Sequence, residues 1–357
     1  MVLGFAMVFA CSRVNAQMKW YDPLEGDRPM VWNQAFTDEI SHTYHRLPQR
    51  AKQEVRGVVW RLSQNSSGLA LKFTTSSSKI WVRYTVGEPL AKPHMPATGV
   101  SGVDLYVRRG SQTDYCYGSY SFGDTIAYHY TIDRNRSQES EYELFLPLYN
   151  RVDWLEVGVP EKEQIEFLPA DLSQRPIVVY GTSIVQGACV SRPAMAWTSI
   201  LHREFNLPIV NLGFSGNGRL EKSVLNYITE IDAQLYVLDC MPNLTRQKEE
   251  EIEKLVIDAV MQIRGQHSEP ILVVEHSGYS NMHSTQEQFE RCDRANRALK
   301  SAYDKLRKGR IKGLYYLSRK ELDWGMDAWV DSVHPSVVGM TAQSQAVGRR
   351  IRKILHL

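Results

Sequence analysis

Little in this 357-residue sequence is one-sided. Lys and Arg together number 42 against 40 for Asp and Glu, a net charge of +2, too balanced for the dense basic surface that nucleic-acid binding requires. No hydrophobic run reaches the ~20 residues of a membrane-spanning helix. Cysteine is scarce, five in all, and no Cys-x-x-Cys pair occurs, so neither a zinc ribbon nor a thioredoxin-type site is supported. No Walker-type or dinucleotide glycine pattern follows any apolar run, which removes the support for phosphate handling. Internal repeats and low-complexity tracts are missing as well. What is there is the composition of an ordinary folded protein, 43% hydrophobic and 23% charged, with a length that suggests two domains.

Residues 2–11 form an apolar run too short to span a bilayer, and read as the core of a signal peptide covering 1–16, with Gln17 as the mature start. The Ala10-Cys11 pair also fits a bacterial lipoprotein signal, in which Cys11 would carry a lipid anchor. Both readings place the protein outside the cytoplasm, periplasmic or extracellular. Of the remaining cysteines, Cys189 and Cys240 could pair in an oxidising compartment, the alternative being buried free thiols.

The rest of the chain changes period near residue 171. Over residues 57–159 short runs alternate apolar and polar residues, among them Val58-Val59-Trp60, Ile80-Trp81-Val82-Arg83-Tyr84, Val103-Asp104-Leu105-Tyr106-Val107 and Trp154-Leu155-Glu156-Val157. Period two with turns between predicts an antiparallel β-sandwich over 17–165. After a polar, Pro-containing linker, continuous apolar runs follow at Ile177-Val178-Val179-Tyr180, Ile209-Val210-Asn211-Leu212, Leu235-Tyr236-Val237-Leu238 and Ile271-Leu272-Val273-Val274. Each precedes a helical stretch, as in residues 248–264 and 286–308, which predicts a three-layer α/β/α domain on a parallel sheet over 171–357.

Ligands of an open parallel sheet sit at the carboxyl ends of its strands, so the residues after each run matter most. Gly181-Thr182-Ser183 puts a serine on a tight turn entering a helix, where it is either a nucleophile or a helix cap. Gly213-Phe214-Ser215-Gly216-Asn217-Gly218 and Asp239-Cys240-Met241-Pro242-Asn243 bring glycine amides and a neutral Asn donor, the components of an oxyanion hole, though each is also an ordinary turn composition. Asp331-Ser332-Val333-His334 lets a carboxylate three residues upstream orient an imidazole and leave its other nitrogen free as a base.

In this order the four blocks resemble the SGNH or GDSL hydrolase superfamily, whose fold is flavodoxin-like. The resemblance implies Ser183 as nucleophile, His334 as base, Asp331 as its partner, and the Ser183 amide, Gly216 and Asn243 as oxyanion donors, with Gly213 as a fallback. Thr182 stands where the family type has Asp, and Pro242-Asn243-Leu244 where Gly-x-Asn-Asp is usual. Both variants resemble an exported bacterial branch that carries a Gly-x-Asp-Leu-Tyr motif in an N-terminal β domain, and Gly102-Val103-Asp104-Leu105-Tyr106 is such a motif. An α/β-hydrolase nucleophile elbow does not fit, since Val185 occupies the second glycine position.

The activity implied is serine-esterase hydrolysis of ester groups, most simply O-acetyl, on carbohydrate or polysaccharide, without cofactor or metal. The alternative is a non-catalytic carbohydrate-binding protein with a degenerate hydrolase domain. Glu275 and His276, after the fourth run, are candidate substrate contacts. His42 and His45 lack a third ligand and read as a satisfied or solvated pair.

Overall fold

The structure, a computed structural model, describes residues 17–110, 112–132 and 140–357; the expected signal peptide and Cys11 lie outside them. The parallel sheet has five strands, Ile177–Gly181, Ile209–Gly213, Leu235–Asp239, Ile271–Val274 and Leu314–Leu317. The first lies between the second and third, and the fourth and fifth follow outward. This is the flavodoxin-like order, and its switch point falls where the first strand meets the third. Both faces are covered, which is why the strands read as unbroken apolar runs. On one side Val178, Tyr180, Leu212 and Tyr236 pack beneath helices Glu249–Arg264 and Gln286–Lys308. On the other Val179, Val237 and Leu272 meet Trp197, Leu201 and Val347 of helices Trp197–Phe205 and Val337–Leu355. No helix among the described residues is long and apolar enough to cross a membrane.

The N-terminal half contains the expected two antiparallel sheets. One is ordered Met18–Tyr21, Val152–Pro160, Lys79–Val86, Ile126–Thr131, Gly118–Ser121. The other runs Glu166–Leu168, Ala70–Thr75, Ser140–Phe145, Asp104–Arg109, Gln112–Cys116, with Val31–Trp32 on the Ala70 strand. Alternation is visible directly: Ile80, Val82 and Tyr84 are buried against Phe73, Leu105, Tyr142, Leu144 and Val157, while Lys79, Trp81 and Arg83 face away.

Two expectations change. Val58-Val59-Trp60 is helix Gly57–Ser63, not a strand. Its β-branched residues favour extended backbone, but Val59 and Ser63, one turn apart, are its buried positions, and burial against the core of the parallel-sheet domain decides. Ala35, Leu47, Ala51, Val55 and Val59 all belong to the core cluster of Tyr180, Leu212 and Phe214. The N-terminal segment thus completes the second domain. Part of the expected linker, Glu166–Leu168, instead forms an edge strand, with Phe167 edge-on to Phe73 at 5.9 Å.

Candidate active site

Gly181 pairs with Gly213 on one side and Asp239 on the other, so the first three strands end level and their loops leave from one line. On the first, Thr182 is the helix cap: its Oγ1 accepts a hydrogen bond from the Ile184 N–H at 3.3 Å. Thr182 thereby does locally what a capping Asp would do, and Ser183 is released from that task. The Ser183 Oγ lies 2.9 Å from His334 Nε2. A carboxylate can only accept, so the Asp331 Oδ2 at 2.7 Å from His334 Nδ1 puts the ring proton on Nδ1 and leaves Nε2 to accept from the serine hydroxyl. Asp331 Oδ1 accepts from the N–H groups of Val333 and His334, at 2.8 and 2.7 Å. Partial burial works to raise the Asp331 pKa, but the bonds from the imidazole and the two amides prevail and hold it below the ordinary carboxylate range.

The second loop distinguishes its glycines. A Cβ on Gly213 would lie 2.2 Å from the Gln186 backbone nitrogen, and the Gly213 N–H is taken by Asn211 Oδ1 at 2.9 Å. Gly213 is a packing position between strand and helix. Gly216 is left-handed at φ 69° with nothing within 4 Å of a hypothetical Cβ, so its backbone stands in open space. On the third loop Asn243 Oδ1 accepts from the Gly218 N–H at 3.0 Å, which turns the amide so that its Nδ2 donor faces elsewhere.

Several supports have no obvious sequence signal. Gln186, fully buried, accepts from the Ser215 N–H at 2.9 Å and donates to Asn65 Oδ1 and the Leu148 carbonyl, tying the second loop to the β domain. Buried Arg46 donates to the carbonyls of Asn211, Gly213, Leu62 and Asn65 without a carboxylate partner, and desolvation pulls its pKa down to about 9. The β domain also reaches the site: the His94 ring stacks on His334 with centroids 5.8 Å apart. The Gly-x-Asp-Leu-Tyr motif is a clamp between domains. Asp104 accepts from Arg192 at 3.0 Å and from the Ala194 N–H at 2.9 Å, and the Tyr106 hydroxyl accepts from the same guanidinium at 2.7 Å.

Glu275 and His276 are engaged by local partners. The Glu275 carboxylate accepts from the Tyr316 hydroxyl and the Arg319 N–H. His276 is fully buried, accepts from the Gly278 N–H at 2.9 Å, and is pulled down to about 3 by desolvation and then by Arg319, so it is neutral. Their side chains serve the loop. Cys189 and Cys240 are both free thiols, the latter donating to the Tyr180 carbonyl. His42 bonds the Leu24 carbonyl at 3.2 Å, away from the site.

Asp239, the last residue of the third strand, is buried with one hydrogen bond, from Gln343 Nε2 at 3.1 Å, and desolvation raises its pKa to about 7. The Gln343 Oε1 is buried without another partner, an acceptor suited to a protonated carboxyl. Because the unfolded carboxyl ionises near the ordinary 3.8, the native state holds the extra proton between those values, and this group costs stability progressively as pH rises from about 4 through 7. Asp239→Asn is expected to stabilise the fold at pH 8 by up to about 4 kcal/mol and to change little at pH 4. Urea titrations at both pH values check this, and an equal shift at the two would contradict it.

Residues 174–352 match the GDSL-like lipase/acylhydrolase family, and residues 18–165 match the GxDLY domain found at the N-terminus of SGNH-hydrolase-type esterases. No curated protein matches the chain. Among solved structures, a Bacteroides ovatus ATCC 8483 protein assigned to the GDSL-like lipases is 30% identical, with a TM-score of 0.86 over 95% of this chain and 98% of its own. The salicylyl-acyltransferase SsfX3 from a tetracycline biosynthetic pathway shares the fold at 18% identity, TM-score 0.68 and 94% coverage of both chains. A family two carbohydrate esterase from Clostridium thermocellum shares it more distantly, at 10% identity and TM-score 0.53, covering 81% of this chain and 93% of its own. Two domains matched end to end, and a relative aligned over nearly its whole length, lead to one conclusion: this chain belongs to the GDSL-like lipase/acylhydrolase family of ester-hydrolysing enzymes.

Proposed function

We propose that Ser183, His334 and Asp331 are a catalytic triad and that the protein removes short acyl groups, most simply acetyl, from carbohydrate outside the cytoplasm. The observation that carries the reading is the unbroken chain of contacts from Ser183 Oγ to His334 Nε2 to Asp331 Oδ2, at 2.9 and 2.7 Å. Ser183 Oγ attacks the acyl carbon and its proton passes to His334 Nε2. The oxygen turned negative is met by the Ser183 and Gly216 amides and by Asn243 Nδ2. The C–O bond to the alcohol breaks as His334 returns the proton to it, and water then repeats the sequence to free the acid and restore Ser183.

For the substrate, the support is the setting. The two side chains placed beside His334, His94 and Cys189, are polar or small, and suit a short acyl group on a hydroxylated leaving group better than a lipid. The carbohydrate esterase with this fold was solved with a cello-oligosaccharide, and the GxDLY domain together with the apolar leader supports an exported location. The test is acetate release from a panel of acetylated oligosaccharides, with methyl-esterified and feruloylated polysaccharides alongside. Acetate should be released by the native protein, and Asn243→Ala should lower kcat by about 10²- to 10³-fold with KM nearly unchanged. Glycan binding with no release of any acid or alcohol would favour the binding-protein alternative.

A further inference from the structure

Beside the Ser183–His334 pair stand two ligating side chains that take no step in the proposed hydrolysis. His94 comes from the β domain, is exposed, and lies nearly parallel to His334, with 18° between the ring planes. Cys189 follows the serine's short helix; it is buried and held at φ 68°, a left-handed backbone that a non-glycine residue keeps only where its surroundings impose it. Among the described residues neither the His94 ring nor the Cys189 thiol makes a hydrogen bond. One ligand atom from each of His94, Cys189 and His334 lies within 4.8 Å of the other two.

Two imidazoles and a thiol are a donor set for a borderline-soft ion. Tetrahedral zinc takes nitrogen at about 2.0 Å and sulfur at about 2.3 Å, which places its ligand atoms roughly 3.5 Å from one another. The three ligand atoms stand within 4.8 Å of one another, so side-chain movement of about an ångström or less brings them to that separation, and His94, being exposed, is free of the packing that would oppose its share. His334 already donates its Nδ1 proton to Asp331 at 2.7 Å, the carboxylate–histidine arrangement that orients a metal-ligating imidazole.

We propose that His94, Cys189 and His334 form an inhibitory site for a zinc-type divalent cation, with solvent as fourth ligand. On binding, the Cys189 thiol loses its proton to solvent and the thiolate takes the metal, while the His334 Nε2 lone pair passes from the Ser183 hydroxyl to the ion. The pair of electrons that would accept the serine proton is then occupied. The inhibition rests on the triad reading; the binding does not. Because one ligand comes from each domain and one from the triad, the site exists only in the assembled protein.

Binding is read first, without reference to turnover, in full-length Ser183→Ala, which retains all three ligands. One equivalent of Co²⁺ should give a near-ultraviolet thiolate-to-cobalt charge-transfer band that Cys189→Ser abolishes. Calorimetry with Zn²⁺ should show affinity weakened about tenfold or more in His94→Ala. Absence of the band, or calorimetric affinity unchanged by both substitutions, overturns the site. Ester hydrolysis by the native protein should then fall with added Zn²⁺ and recover with EDTA, and His94→Ala and Cys189→Ser, each measured against its own metal-free rate, should need about tenfold more zinc or beyond. A cobalt–thiolate band alongside undiminished hydrolysis overturns the inhibition and leaves the triad to be decided by the loss of metal-free hydrolysis in His334→Ala.

Discussion

Ser183→Ala is expected to lower kcat for ester hydrolysis by about 10⁶-fold while leaving the melting temperature close to that of the native protein. On the proposed mechanism the loss is large because the hydroxyl is the atom that bonds to the acyl carbon. Stability should hold because Thr182, rather than Ser183, caps the following helix. His334→Ala should cost about as much, and the double variant no more than either single one, since the two groups act as a unit. Activity of Ser183→Ala within tenfold of native, measured on a small chromogenic ester, contradicts the assignment of the nucleophile.

The second large effect is expected at Asp331. Asp331 Oδ1 is fixed by two backbone N–H donors, from Val333 and His334, so an Asn placed there keeps its carbonyl oxygen on those amides and turns its NH₂ toward His334 Nδ1. Two donors cannot face each other, and the imidazole must move its proton to Nε2, the nitrogen that has to accept from Ser183. Asp331→Asn should therefore lower kcat by about 10⁴-fold through the wrong tautomer. Asp331→Ala, which leaves room for water beside Nδ1, should lose less. If Ala proves as damaging as Asn, orientation alone is at work and the tautomer argument fails. Comparing kcat for the two variants at one pH, with circular dichroism to confirm folding, decides between them.

The first three blocks were legible in the sequence because each follows an apolar strand directly and a parallel sheet brings strand ends together whatever the loops contain; the Asp331–His334 block stands on a loop well past strand Leu314–Leu317, and only its three-residue spacing pointed to it. The contacts among Ser183, His334 and Asp331 join residues that the sequence had already singled out. His94 and Arg46 were not legible for the opposite reason. His94 meets His334 across 240 positions of chain, and Arg46 meets Asn211 and Gly213 across 165 and 167, and no local pattern announces such a meeting. Glu275 and His276 sat at the right kind of strand end, yet the first is held by Tyr316 and Arg319 and the second is sealed from solvent. Position at a strand end shows which way a loop leaves the sheet and says nothing of how its side chains fold back. The helix Gly57–Ser63 was misread as a strand because its valines carry a β preference that contact with the hydrolase core overrides. The Gly-x-Asp-Leu-Tyr motif was visible as a motif, but its role as a clamp on Arg192 and Ala194 belongs to the assembled pair.

The turn at residues 65–68 looks in the sequence like an ordinary surface connection of Asn, Ser and Gly, yet all of it is shielded from water. Ser67 Oγ donates to the Gln186 carbonyl at 2.7 Å, and a side chain on Gly68 would collide with Asn211 Cβ at 2.6 Å. With Ala35 through Val59 filling the hydrolase core as well, the two halves are not modules that recombination can exchange freely. A foreign β domain would arrive without the residues that seal the sheet, leaving apolar surface and backbone amides stranded. The residues of this seam must therefore change in concert or not at all.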